Sequence, residues 1–390
     1  MIDGSVVVGA GPVGLATALL ARSRGLSVHV LERLPATASK PGSRAIFLHR
    51  QTIQTLATAS PALSDQLVSE GLVWPGRTTY WAGRQVHHHR YEPVPPKLAP
   101  FVSLPQPRME ELLREAGMRA GVTISWSTEA DEVVNEDASV LIRTAGGREW
   151  RSAFVVAADG ARSAVRHRLG VPMNGDTTGN AFVVVDIADD PTRPLPAERV
   201  FHYRHPLAAG RNVLFVPFTG GHRIDLQCRT GDDPALLATD PHTWLRPLLP
   251  PGHACEVTWS SHYLFRQTVA ETFTIGRVLL AGEAAHLFAP FGARGLNSGI
   301  ADAAAAINAI VTADTDHRAL ADYDRVRRAA AERNRAAAGQ ALAHLTATGP
   351  HRRAAQRAAA VAAHVLHRAG TWLDSKPYGP RDAGIPGSLY

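Results

Sequence analysis

Ser5-Val6-Val7-Val8-Gly9-Ala10-Gly11-Pro12-Val13-Gly14, followed at once by Leu15-Ala16-Thr17-Ala18-Leu19-Leu20-Ala21, is the stretch that decides the fold of this chain. The short apolar run predicts a strand, and residues 15–24 are helix formers. Gly25 then reads as a C-cap, and Ser27-Val28-His29-Val30-Leu31 is apolar again. Strand, turn, helix, turn and strand within about 30 residues make the parallel βαβ unit. Its first turn carries G-x-G-x-x-G. Gly9 allows the tight turn, Gly11 lets the backbone approach a pyrophosphate, and Gly14 lets helix and strand pack closely. Pro12 and Val13 open the helix, whose free N–H groups and positive dipole end suit phosphates. Glu32, 18 residues past Gly14, closes the second strand, where a carboxylate can accept both hydroxyls of an adenosine ribose. An acid there, where a basic residue would suit a 2′-phosphate, fits FAD or NAD. The bland alternative is an ordinary βα turn.

Outward from this unit, residues up to about 75 read as helical with a Pro-rich interruption, and 76–100 as extended. A helix is expected at 106–121, then strands near 122–126, 139–143 and 153–157. Between about 175 and 270 the pattern turns to β: 181–187, 199–203, 213–217, 223–228 and 256–262 alternate or are β-branched. Thr219-Gly220-Gly221-His222 supplies a hairpin turn. The α/β pattern resumes at 277–281, with a helix at 298–311 and Ala-rich helices to 370. The Pro/Gly-rich tail, 376–390, reads as a surface wrap or as disordered. The expected organisation is therefore α/β. A discontinuous Rossmann-like domain (1–75, 101–174, 271–345) holds an inserted antiparallel β-sheet domain (76–100, 175–270), and 346–390 form a C-terminal helix and tail. A length of 390 residues allows this, at about 150 residues per domain.

Composition excludes several classes. With 45% hydrophobic and 19% charged residues the chain is too apolar for disorder. Two cysteines, Cys228 and Cys255, rule out a disulfide framework and a Cys-rich zinc site; they read as small hydrophobes in a reducing cytoplasm. The net charge of +6 is interspersed with acids, which argues against a nucleic-acid stripe and leaves anionic cofactors a use for it. No apolar run reaches the ~18 residues of a membrane span, and Met1-Ile2-Asp3-Gly4 lacks a basic leader, so neither membrane nor secretion is expected. Adjacent His87, His88 and His89 point alternately in an extended segment, so no metal site is expected.

Two further segments repeat the strand-to-turn theme. Val155-Val156-Ala157-Ala158-Asp159-Gly160-Ala161-Arg162-Ser163 ends a strand in Asp-Gly before a helix. Asp159 caps that helix or contacts a sugar or phosphate. Gly276-Arg277-Val278-Leu279-Leu280-Ala281-Gly282-Glu283 leads to Pro290-Phe291-Gly292-Ala293-Arg294-Gly295-Leu296-Asn297-Ser298-Gly299, a glycine-rich loop opening a helix with Asp302. N–H groups of Gly295, Leu296 and Asn297 at that helix start can stabilise negative charge developing on a ring system.

In order and spacing these three segments, over residues 1–330, resemble the FAD-dependent aromatic hydroxylases, the group A flavin monooxygenases typified by para-hydroxybenzoate hydroxylase. The run from Pro290 to Gly299 looks most like the phenylpropionate and polyketide hydroxylase branch. The resemblance implies that Gly9, Gly11 and Gly14 take the FAD pyrophosphate and Glu32 the adenosine ribose, with Arg33 beside the adenine. It implies Arg44 near the flavin, Gln106 at the ribityl or phosphate region, and Asp159 on FAD and on NAD(P)H. It further implies that Gly282 and Glu283 hold the ribityl chain, that residues 295–297 face the flavin N1–O2 edge, and that Pro290 lies near C4a. The family pattern has Asp after Gly282; Glu283 keeps the carboxylate with one more methylene. Ala293-Arg294 replaces a Gly-Gln pair. The thioredoxin-like C-terminal domain of longer members is expected to be absent, with helices at 317–373 in its place.

The implied reaction is NAD(P)H- and O₂-dependent hydroxylation of a phenolic or polyketide-type aromatic through a flavin C4a-hydroperoxide, by a cytoplasmic monomer or homodimer. Baeyer–Villiger, epoxidation or antibiotic-inactivating chemistry on the same fold, and a non-catalytic FAD-binding protein, are the alternatives. A base that ionises the phenol would help. Arg44, Pro290, His202 and Tyr203 are the catalytic candidates. His205, Arg223 and Gln227 stand on the same strands, where alternation pairs His202 with Arg204 or Tyr203 with His205 on one face. His286 reads as a packing or turn residue.

Overall fold

The computed structural model describes residues 2–38, 47–93, 95, 99–313, 315–347 and 349–379. The chain opens with β1 (Ile2–Val8), α1 (Pro12–Ser23) and β2 (Ser27–Leu31), the βαβ unit read from the sequence. Next come β3 (Phe47–His49), α2 (Arg50–Ala59), α3 (Pro61–Glu70), β4 (Gly76–Trp81), β5 (Arg84–Arg90), β6 (Phe101–Ser103), α4 (Gln106–Arg119) and β7 (Thr123–Ser125). Strands β8 (Ala130–Asn135), β9 (Val140–Thr144) and β10 (Glu149–Ala157) precede the short α5 (Ala164–Arg168). The β-rich stretch holds β11 (Met173–Ala188), β12 (Arg199–His205), β13 (Arg211–Phe218), β14 (Gly221–Gln227), α6 (Pro234–Thr239), α7 (His242–Leu245) and β15 (Val257–Ala270). The chain then forms β16 (Thr274–Ile275), β17 (Val278–Leu280), β18 (His286–Leu287), α8 (Arg294–Thr312), α9 (Ala319–Thr346), α10 (Pro350–Ala362) and α11 (His367–Ser375).

The first sheet runs β16-β17-β10-β1-β2-β7, with the β8–β9 hairpin joined to β10. Pairings among β17, β10, β1, β2 and β7 are parallel, as expected of a Rossmann-like fold. The central β1 explains its own sequence: Val6, Val7 and Val8 are all buried, because a parallel strand covered on both faces needs an unbroken apolar run. In α1 every residue from Gly14 to Ala21 is buried, and its alanines keep the helix thin enough to sit beneath α8 and α4.

The second sheet runs β18-β15-β11-β14-β13-β12-β4-β5 and is antiparallel except where β12 meets β4. Alternation sorts its side chains cleanly. Val183, Val185, Val213, Phe215, Ile224 and Leu226 face Leu245 and Leu249 of the 234–249 segment. Phe182, Leu214, Val216, Phe201 and Tyr203 face the opposite way, toward α9, α11 and the loop before α8.

Four expectations need correcting. β8 was not foreseen. β11 begins at Met173, not 181, because it pairs with the whole length of β15. α8 begins at Arg294, four residues before the expected 298. The start of the tail is no loose wrap: Pro377 is buried, and the Tyr378 carbonyl accepts a bond from Arg294 at 3.0 Å; residues 380–390 lie outside the described residues. Among the described residues no helix is long and apolar enough to cross a membrane.

The C-terminal helices are fastened to the second sheet by buried charge. Asp374 of α11, 1% exposed, accepts from Arg77 Nε at 2.6 Å and Thr79 Oγ1 at 2.8 Å, both on β4. Removing one partner of such a pair strands the other charge. Asp374→Ala should therefore lose about 3–5 kcal/mol of stability in urea unfolding, and a loss below ~1 kcal/mol would show the helices are held by packing alone.

Candidate functional site

Three glycines open the first turn for different reasons. Gly9 has φ +103°, and a Cβ there would lie 2.5 Å from the Ala158 carbonyl oxygen. A Cβ on Gly14 would lie 1.8 Å from the Gly9 oxygen. Both are required by the protein's own packing. Gly11 is different: its φ of −77° suits any residue, and nothing lies within 4 Å of its Cβ position. The fold itself has no need of a glycine there. In front of it stand the first-turn N–H groups of α1, which have no acceptor within the helix.

Glu32 is buried beside this turn. Its Oε2 accepts from Ala10 N at 2.6 Å and its Oε1 from Leu34 N at 3.0 Å, which fixes the carboxylate while leaving each oxygen a second lone pair. Arg33 is exposed next to it. Across the turn, at the end of β10, Asp159 Oδ2 accepts from Val165 N at 3.1 Å, and Ser163 caps α5 through Arg166 N at 3.0 Å. Asp159 Oδ1 is buried without a hydrogen-bond partner. Burial pushes this carboxyl above the usual range, against hydrogen bonds from Ser163 and from the Val165 and Ala164 backbone.

The third segment closes on the first. A Cβ on Gly282 would lie 2.9 Å from Val13 Cγ2, and one on Gly299 would lie 2.6 Å from the same atom. The Gly282–Ala284 turn, with half-buried Glu283, and the start of α8 therefore meet the start of α1 around Val13. What holds the turn is Asp302, fully buried on α8. Its Oδ2 accepts from Gly282 N at 3.1 Å and pairs with His286 Nε2 at 2.7 Å; its Oδ1 accepts from Arg327 Nε at 2.7 Å. Burial raises this carboxyl, but His286 and Arg327 outweigh it and hold it below the usual range.

The loop before α8 is tied as firmly. Ala293 sits in the left-handed region at φ +51°, where a Gly would be relaxed. Arg294, 2% exposed, donates to Asn334 Oδ1 at 2.8 Å as well as to the Tyr378 carbonyl. Asn297 uses its whole amide: Oδ1 accepts from His49 N and Thr52 Oγ1, and Nδ2 donates to the Phe47 and Ala293 carbonyls. Because α8 starts at Arg294, Gly295, Leu296 and Asn297 lie in its first turn. Gly295, like Gly11, has nothing within 4 Å of its Cβ position. Pro290 is exposed ahead of them.

The remaining expected residues are scattered. Arg44 lies outside the described residues. Gln106 opens α4, where Nε2 donates to Glu110 at 2.8 Å. Tyr203 is sealed at 1% exposure, its hydroxyl donating to the Leu373 carbonyl and meeting His344 Nε2 at 2.9 Å. His202 faces away from the α8 loop and stacks on Tyr80 at 4.7 Å; burial and then His205 push its imidazole down to about 3. The alternation expected here is broken. Arg204 takes φ +53° and the register shifts, so His205 comes round beside His202 with ring centroids 4.5 Å apart. Sequence reasoning passed over Asp302 as an anchor and over the Asn297 side chain. It also missed Asp225, although Arg223, Asp225 and Gln227 show a polar period of two along β14.

Sterically free glycines at two helix starts, with fixed carboxylates at the ends of the two strands that flank β1, fit a long ligand bearing a pyrophosphate and sugar hydroxyls. The comparisons agree. Residues 4–338 match the sequence model of the family described as the FAD binding domain. The chain is 30% identical over 308 residues to 6-methylpretetramide 4-monooxygenase of Streptomyces rimosus, covering 76% of this chain and 54% of that one. It is 28% identical to a 3-(3-hydroxy-phenyl)propionate/3-hydroxycinnamic acid hydroxylase of Mycolicibacterium smegmatis, covering 83% and 58%. The chain thus spans little more than half the length of these curated relatives. Among solved structures, p-nitrophenol 4-monooxygenase from Pseudomonas putida DLL-E4 superposes with a TM-score of 0.78 at 25% identity, covering 97% of this chain and 99% of that one.

Asp302→Asn keeps the volume and removes the charge that pairs with Arg327 and His286. It should reduce stability by about 3 kcal/mol at neutral pH in urea unfolding. Because the native carboxyl is held below its unfolded value, the wild type's advantage is complete above pH ~4 and fades as pH falls below it, so the two melting curves should converge in acid.

Proposed function

The chain belongs to the FAD binding domain family, and from that premise we propose that it is a monooxygenase that uses NAD(P)H and O₂ to hydroxylate a phenolic or polyketide-type aromatic. The observation that carries the reading is Gly11, together with Gly295. Each is a glycine without conformational or packing need, standing at the N-terminus of a helix whose free N–H groups await an anion. The named relatives, which are hydroxylases and monooxygenases, support the reaction class.

FAD held there would supply the redox chemistry, a two-electron exchange with NAD(P)H and with O₂. The protein's part is to bind and orient. We assign Gly9, Gly11, Pro12, Val13 and Gly14 to the pyrophosphate, where the dipole of α1 favours negative charge. Glu32 would give its remaining lone pairs to the ribose hydroxyls, with Arg33 at the adenine. Asp159 would give Oδ1 to the same cofactor, and Gln106 and Arg44 would complete the cradle. Gly282 and Glu283 would meet the ribityl chain. The first-turn N–H groups of Gly295, Leu296 and Asn297 would stabilise negative charge on the flavin ring, and Pro290 would border its reactive face. In this reading the first sheet is the FAD domain and the second sheet roofs the substrate; the chain works in the cytoplasm as a monomer or homodimer.

Gly11→Ala separates ligand from fold, because no protein atom opposes the new methyl. It should melt within a few degrees of the wild type yet retain little FAD, read as flavin absorbance per mole of purified protein. Gly14→Ala should fail to fold, and a fully flavinated Gly11→Ala protein would overturn the assignment. Glu283→Asp should keep or raise flavin content, since either acid fits; a colourless variant would show that the extra methylene is needed. The reaction class is tested by phenol-stimulated NAD(P)H oxidation with a product one oxygen heavier. Ring expansion to a lactone would indicate Baeyer–Villiger chemistry instead.

A further inference from the structure

Asp225 is an ionisable residue in an unusual position. It sits on β14, fourth of the eight strands of the second sheet, and its register partners are Val184 on β11 and Leu214 on β13. It shares a face with Phe182, Val216 and Arg223, the face that looks toward the loop before α8. Leu214 packs in one cluster with Phe291 of that loop, and Phe291 meets Phe182 and Phe265 at 5.7 and 5.5 Å. Toward the other end of the face lies a second aromatic group, Phe47, Trp74 and Phe101, packed with Val216 and Phe218. Between these groups the Asp225 carboxyl is held deep, with Oδ1 shielded and without a hydrogen-bond partner, although the residue keeps some accessible surface. A buried acceptor with no donor disfavours folding, and the hydroxyl of a bound ligand would supply the missing donor.

We propose that Asp225 is the proton acceptor for the substrate's phenolic hydroxyl, a role that rests on the monooxygenase reading above. The substrate O–H bond breaks, the proton passes to Oδ1 of Asp225, and the electron pair stays on the phenolic oxygen, enriching the ring that is to be hydroxylated. No oxidant or reductant takes part in this step. The carboxyl is suited to it: burial pushes it up to about 7, Asp186 adds to this, and Arg223 and Arg199 oppose it. Among the described residues, these and Tyr263 of β15 are the ionisable groups facing this corner, while β13 presents Asn212, Leu214 and Val216. Arg223 opposes this rise only in part: its guanidinium is paired with Asp186, Nε to Oδ1 and Nη2 to Oδ2, each at 2.8 Å.

Asp225→Asn tests the assignment in the FAD-loaded protein, with 4-fluorophenol, 1-naphthol and 4-nitrophenol as probes of rising acidity. Wild-type oxygenation should rise with pH to a plateau above about 7. The variant should be slower by about 10²-fold at neutral pH with the least acidic probe, lose the break near 7, and climb about tenfold per pH unit with the probe's own ionisation. Its deficit should shrink toward 4-nitrophenol, which ionises unaided; a structural lesion would slow all probes alike. Asp225→Glu, which keeps an acceptor, should keep a break. A second readout needs no turnover. An unfolded carboxyl titrates near ~3.9, so the native protein holds an extra proton up to about 7 and loses stability as pH rises through that window. Asp225→Asn should therefore melt like the wild type near pH ~4 and higher than it at pH ~8. Oxygenated product from wild type with an unchanged pH profile in Asp225→Asn, or no gain in melting at pH ~8, overturns the proposal and leaves the monooxygenase reading intact. No oxygenated product from wild type with any probe overturns that reading, and this role with it.

Discussion

The Asp302 carboxylate is buried where three segments distant in sequence converge. It receives the N–H of Gly282 just past β17, the imidazole of His286 at the start of β18, and the guanidinium of Arg327 on α9. An unpaired charge in that position would be intolerable, so each donor must be in place for the others to be stable. The Gly282–Ala284 turn and the start of α8 are thereby packed against Val13 at the start of α1. The geometry of the candidate site follows from that one satisfied charge more than from any residue that would touch a ligand.

The parts of this arrangement that were legible in the sequence are those whose physics is local. A buried parallel strand needs Val6 to Val8, and a tight turn beside a second strand needs Gly9. The boundaries of β2 follow from the apolar run alone. Alternation likewise revealed the second sheet, because one face of an antiparallel sheet must be apolar. What escaped depends on partners far away. Asp302 is one acid among many until α9 brings Arg327 to it. The first turn of α8 looks like loop because Gly295 and Asn297 are poor helix formers, yet Asn297 is held by β3 and α2. At Arg204 regular alternation failed for a local reason that composition conceals: a non-glycine residue in the left-handed region turns His205 onto the face of His202.

The second sheet shows how differently two sides of one layer can be used. The side facing the 234–249 segment is apolar throughout its centre. The other side carries Arg77, Arg199, Arg223, Asp186 and Asp225 among aromatic rings, and most of these charges are matched within the protein: Asp374 takes Arg77 and Asp186 takes Arg223. Against that background of paired charge, an unmatched carboxyl oxygen on β14 stands out.

The bond from Arg294 to the carbonyl of Tyr378 has a consequence for how the molecule is made. Synthesis proceeds from the N-terminus, and β1, α1 and β2 can pair early. The loop that opens α8 reaches its final anchorage only when residues some eighty positions later have emerged and packed. A nascent chain halted within α10 would carry the first glycine turn complete and the second held by Asn334, His49 and Thr52 but still without its bond to Tyr378. Of the ties on that loop, the bond to Tyr378 is thereby the latest to form, made once α10 and α11 have packed.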